Sequence, residues 1–162
     1  MTSLNGPFVQ AAVFCDDVMQ EAGGRITALR LLTDVKISAV GPSMPDAMPA
    51  LKIPLTLLIV LNAGGRAGNY ELRVNVLAPD GNTREGPSGE VELIHETFTM
   101  NVITKLEMQF HQPGQYWFEI VLEGRAVLRL PLNVTYEFQS DSKTENSLPP
   151  AADASPKSPL TH

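Results

Sequence analysis

Tyr70, Leu72, Val74 and Val76 alternate with Glu71, Arg73 and Asn75. This period of two turns one face of a β-strand inward and the other to solvent. The pattern predicts a strand over residues 69–78. Similar runs predict strands over 8–15, closed by Asp16-Asp17, and over 25–38 as one long strand entered from Gly23-Gly24. Residues 90–110 carry one strand or two, with Phe98, Met100, Val102, Leu106, Met108 and Phe110 on one parity. The chain then closes with strands over 116–122 and 126–136, joined at Glu123-Gly124.

The run from Ile53 to Leu61 is the most apolar and does not alternate. It is about half the length of a membrane-spanning helix and has Pro54 at its start, so it reads as a buried strand within 51–62. The Pro-rich stretch 40–50 reads as a crossing between sheets, Ala63–Gly68 as a flexible turn and Pro79-Asp80-Gly81-Asn82 as a hairpin, with 83–88 irregular. The best helix candidate, 17–22, is too short and runs into Gly-Gly.

Seven or eight short strands punctuated by Gly and Pro predict an all-β chain: a two-sheet, immunoglobulin-like β-sandwich over residues 7–137. The segment Gly114-Gln115-Tyr116-Trp117-Phe118 sharpens this. It has the form of a tyrosine corner, in which a Tyr at the start of the penultimate strand caps a nearby backbone group through its hydroxyl. Tyr116 takes that place, and Phe118 the core position two residues on. Residues 1–6 are expected as a flexible N-terminus. After Glu137 the composition shifts to Pro, Ser, Ala and mixed charge, so 138–162 is expected as a disordered tail that cannot bury enough surface to offset its ordering entropy.

Charge narrows the partners. With 12 basic and 18 acidic residues the net charge is −6, which argues against nucleic acid and anionic membranes, both of which recruit Lys and Arg. The single Cys15 excludes an intrachain disulfide and a Cys-based zinc cage. The N-terminal residues lack the basic and apolar regions of a secretory signal, so a cytoplasmic setting is expected.

Candidate chemistry is sparse. Asp16, Asp17 and Glu21 place three carboxylates in six residues and could bind a hard cation such as Ca²⁺, although the spacing matches no calcium loop and no second acidic cluster lies nearby. Turn capping by the same side chains is the plainer reading. Cys15 ends an apolar strand beside acids, which disfavours a reactive thiolate. His95, His111 and His162 have no recognisable catalytic partners, and no nucleophile elbow, zinc-binding helix, dinucleotide fingerprint or phosphate loop occurs. Residues 85–92 form a short acidic stretch of the kind usually left solvated, and Asn133-Val134-Thr135 is a sequon buried in strand sequence.

The chain nevertheless carries a resemblance. Phe14-Cys15-Asp16-Asp17, Glu21, Gly23-Gly24-Arg25-Ile26, the Gly114-x-Tyr116-x-Phe118 hairpin and Pro131-Leu132-Asn133-Val134 together resemble a family of small bacterial proteins classed as a domain of unknown function. Its members are similar in an "FCDD…E-x-GGK" opening, a Pro-rich loop and a "G-x-Y-x-F" closing hairpin. Here Arg25 stands where Lys is more usual, and Ala28-Leu29-Arg30-Leu31 where Gly is. The resemblance implies no activity, cofactor or catalytic residue. The reading that remains is a non-catalytic, cytoplasmic interaction or assembly module with a protein partner or a second copy of itself. The alternative is a ligand- or cation-binding sandwich using Asp16, Asp17 and Glu21.

Overall fold

The computed structural model describes residues 5–141. Nine strands run in chain order: β1 (Phe8–Gln20), β2 (Ile26–Leu32), β3 (Asp34–Gly41), β4 (Lys52–Asn62), β5 (Gly68–Leu77), β6 (Thr83–Leu93), β7 (Thr99–Gln109), β8 (Gly114–Leu122) and β9 (Arg125–Ser140). They form two sheets, ordered β2-β1-β4-β7 and β3-β9-β8-β5-β6. Neighbours pair antiparallel except β3 and β9, which run parallel.

The sheets meet over one core. Leu57, Ile59 and Leu61 of β4 are fully buried from one side, and Phe118, Ile120, Leu132 and Val134 of β8 and β9 from the other. Phe14 of β1 meets Phe118 edge-on at 4.6 Å between ring centroids, the geometry that the quadrupoles of two aromatic rings favour. Each such side chain contributes about 1.5–3 kcal/mol by leaving water.

The structure departs from the sequence pattern at four places, the fourth within β6. First, Asp16-Asp17 do not close β1, which continues to Gln20 and turns through Gly23-Gly24 into β2. The backbone ladder between Cys15↔Leu31 and Gln20↔Ile26 carries these polar residues, although they bury nothing. Second, the single strand expected over 25–38 is two, which raises the count to nine. The chain breaks at Thr33 and passes from one sheet to the other, so the apolar period runs on while the partner changes. Third, the strand pairing continues past Glu137, where Phe138, Gln139 and Ser140 pair with Ala39, Val40 and Gly41. The tail expected from 138 therefore begins later, and its remainder from 142, like residues 1–4, lies outside the described residues.

Three prolines lie within strands, each where a missing donor is tolerated; Pro131 of β9 pairs with β8 alone, because β3 joins β9 only from Asn133. Pro54 lies in the part of β4 that pairs with β7 alone, because β1 reaches only to Thr56. Pro87 lies in β6, an edge strand, where a missing donor costs least. Residues 83–88, expected as irregular, are strand with a bulge: Gly86 and Pro87 together oppose Val74, between Arg73↔Ser88 and Asn75↔Glu85. A Cβ on Gly86 would run into the Val74 carbonyl oxygen.

Candidate functional site

The acidic opening does not assemble. Asp16 and Asp17 are successive strand residues and point to opposite faces. Asp16 pairs with Arg30 Nε at 2.7 Å. Asp17 accepts from the Val18 N–H at 2.9 Å, and Glu21 accepts from the Thr27 hydroxyl at 3.4 Å across the hairpin. Among the described residues no group of three or more His, Cys, Asp or Glu converges as a metal site. Cys15 is fully buried beside these acids. Burial pushes its thiol up, and Asp17 and then Asp16 push it further, so the thiolate is suppressed.

The two described histidines lie apart, one beyond each end of β7, and His162 lies outside the described residues. His95 packs edge-on against Phe98 at 5.2 Å, with Nδ1 3.3 Å from the Thr97 hydroxyl. His111 borders a cavity of about 80 Å³ together with Asp80, Arg84 and Tyr116. A substrate pocket usually holds about 300–1,000 Å³, so this is a packed sandwich end. Its polar groups cap turns. Asp80 accepts the Asn82 N–H at 2.9 Å and the Asn82 amide at 2.6 Å; the backbone bond is the main reason its carboxyl is held below the usual range. The Tyr116 hydroxyl donates to the Gln112 carbonyl at 2.9 Å, and its ring meets Phe110 edge-on.

The outer faces of the two sheets differ in kind. On the five-stranded sheet Arg73 reaches Glu71 at 2.9 Å and Glu85 at 3.1 Å, and Arg129 reaches Glu119 at 2.8 Å. A polar depression of about 360 Å³ lies among Glu71, Arg73, Asn75 and Glu119. Those charges are already matched to one another, which is the ordinary solvated side of a sandwich.

The outer face of the four-stranded sheet carries an apolar patch beside charged positions, among them Lys105 and the Lys52–Glu107 pair at 3.2 Å. Phe14↔Leu57 and Ala12↔Ile59 face the core, so Val13↔Leu58 and Ala11↔Val60 face outward. The register continues this face to Ile103, opposite Leu58, and to Leu31, opposite Cys15. Leu31 is 62% exposed, Ile103 42% and Leu29 36%. The sequence reading missed this face. Its signal is the unbroken Leu57-Leu58-Ile59-Val60-Leu61, apolar at both parities, a pattern of strands covered on both sides. Cys15, Thr56 and Leu58 on this outer side are themselves buried within the monomer, and its exposed apolar side chains include Leu29, Leu31 and Ile103.

The open side of the sandwich is a third feature. Between β6 and β7 lie a cavity of about 220 Å³ bordered by Leu72, Val74, Val91 and Val102, and another of about 410 Å³ bordered by Val76, Leu106 and Met108. Among the described residues no helix is long and apolar enough to cross a membrane.

Comparison with known proteins places the chain without assigning an activity. None of the curated proteins matches it. Partial structural alignments are found with segments of larger chains. An alkylpurine DNA glycosylase AlkC from Pseudomonas fluorescens, bound to DNA containing an abasic site analog, aligns at 6% identity and a TM-score of 0.49 over 80% of this chain and 30% of that one. A beta-glucosidase from Listeria innocua in complex with glucose aligns at 9% identity and a TM-score of 0.48, over 80% of this chain and 17% of that one. The chain thus spans less than a third of either protein. The family model that matches covers residues 10–135, and on it the chain belongs to the family of unknown function DUF6941.

Proposed function

We propose that this DUF6941 protein is a non-catalytic interaction module that docks a protein partner on the outer face of its four-stranded sheet. One observation carries the reading: Leu29, Leu31 and Ile103 stand exposed on that face, flanking the half-buried Val13 and Val60. Contiguous apolar surface on a folded domain marks an interaction site more often than an accident of sequence. A flat face of aliphatic side chains fits an apolar protein surface rather than a polar small molecule.

The other polar groups support the same reading. Asp16, Asp17 and Glu21 act in ion pairing and turn bonding, and His111 lines a cavity too small for a substrate. The net charge of −6 disfavours nucleic acid and anionic lipid as the partner. An immunoglobulin-like classification of the sandwich is supported by the Tyr116–Gln112 corner at the start of the penultimate strand. A cytoplasmic setting is consistent with the lone buried thiol.

The test is affinity capture from cells of the source organism, comparing wild type with Leu31→Lys/Ile103→Lys and with the control Glu119→Ala on the opposite sheet. Docking on the apolar face predicts protein bands lost with the Lys pair and kept with the control. Bands that are absent throughout, or insensitive to the Lys pair, contradict it.

A further inference from the structure

Four strands end the two sheets: β2 and β7 in one, β3 and β6 in the other. An uncovered edge is a row of unpaired backbone donors and acceptors that invites another strand, and proteins usually blunt it. Here three of the four edges are short or distorted. β2 carries Arg30 at a φ of 50°. β6 is bulged at Gly86-Pro87. β3 is only eight residues long. β7 is different: eleven residues without Pro or Gly, in unbroken register with β4 from Lys52↔Gln109 to Asn62↔Thr99. Beside it lie the cavities between β6 and β7, bordered on the β7 side by the half-buried Val102, Thr104 and Met108.

We infer that β7 is the seam of a homodimer, pairing antiparallel with the β7 of a second copy about a two-fold axis at Leu106. The charges select both the occupant and the register. Keeping the outer face continuous requires residues of the same parity to pair, so the axis passes through a residue. An axis at Lys105 or at Glu107 sets like charges against each other. The axis at Leu106 sets Lys105 against Glu107 of the second copy, twice over by symmetry. Lys105 therefore guards this edge against a purely apolar strand and matches one that carries Glu two residues further on, as this strand does. The half-buried Thr104 and Met108 of each copy are then brought beside the seam, next to the cavities between β6 and β7. The two four-stranded sheets become one of eight strands. The inference deepens the docking reading, on which it rests for the use of this sheet as an interaction surface.

Light scattering on the full-length chain across a concentration series tests it, using Lys105→Glu, Glu107→Lys and their equimolar mixture. Wild type should run at twice 17.6 kDa. Each single variant places like charges opposite each other at two positions and should raise the dissociation constant about tenfold or more. The mixture restores both Lys–Glu contacts and should recover the dimer. Both sites are exposed, and Glu107 also meets Lys52 at 3.2 Å on the same surface, so unfolding temperatures are measured alongside to establish that each variant is folded. A monomeric wild type overturns the dimer. So does a dimer indifferent to both substitutions, or a mixture that stays monomeric. Loss of dimer alone leaves the protein captures of the Leu31→Lys/Ile103→Lys experiment intact; loss of those captures alone leaves the dimer intact.

Discussion

Leu58 of β4 and Ile103 of β7 lie directly opposite each other on the outer side of the four-stranded sheet. Leu57, one residue earlier, faces the core and is fully buried. Neighbouring residues of the same character thus hold different positions, and their substitutions should separate. Ile103→Lys and Leu31→Lys should leave stability within about 0.5 kcal/mol, as exposed sites do. Leu57→Ala should cost about 2–5 kcal/mol. Urea unfolding of the three variants decides this. A large loss at Ile103 would show that its face is covered within the monomer.

The tyrosine corner makes a second pair of expectations. Tyr116→Phe keeps the ring against Phe110 and removes one hydrogen bond, so it should cost about 1 kcal/mol. Phe118→Ala removes a fully buried ring that touches Phe14 and should cost about 3–5 kcal/mol. Equal losses at the two positions would contradict the division between a capping and a packing residue.

Arg30 sits in β2 at a φ of 50°, a left-handed conformation that disfavours side chains with a Cβ. Its ion pair with Asp16 is exposed and adds little. Arg30→Gly should therefore be more stable than Arg30→Ala by about 1 kcal/mol, reversing the usual order of Ala over Gly. Calorimetry of the two variants settles it; Ala at or above Gly would mean that the backbone relaxes out of this conformation.

Cys15 reports on folding. Burial, then Asp17 and Asp16, raise its pKa, so the folded state holds the thiol proton more tightly than the unfolded chain does. That preference stabilises the fold fully below the ordinary thiol pKa and is lost as pH rises through the folded value. Native protein should thus resist a thiol reagent at neutral pH, label only on unfolding, and lose stability on the alkaline side. Rapid labelling of the native protein at neutral pH would contradict the burial.

Much of the fold was legible because alternation is a local signal. Strands β5, β8 and β9 follow from their own periodicity, β4 from the length and apolar character of its run, and the place of Tyr116 from Gly114-x-Tyr-x-Phe. The division at Thr33 was not legible, because the apolar period of 25–38 says that a strand faces a core without saying which sheet supplies its partner. Residues 83–88 failed for the opposite reason: Gly86 and Pro87 look like breakers, yet a bulge on an edge strand accommodates both. The acidic trio offered a cation site only as the alternative to turn capping, and strand geometry sends Asp16 and Asp17 to opposite faces. The apolar outer face needed the register of β1, β2, β4 and β7 before Leu31 and Ile103 could be seen on one surface.

Site-specific photo-crosslinking in living cells tests the docking claim most directly, with the reactive side chain at Ile103 and, separately, at Arg129 on the opposite sheet. A protein-docking face at the four-stranded sheet predicts a discrete adduct with another protein from position 103 and none from 129. No such adduct from 103, or the same adducts from both positions, would contradict it.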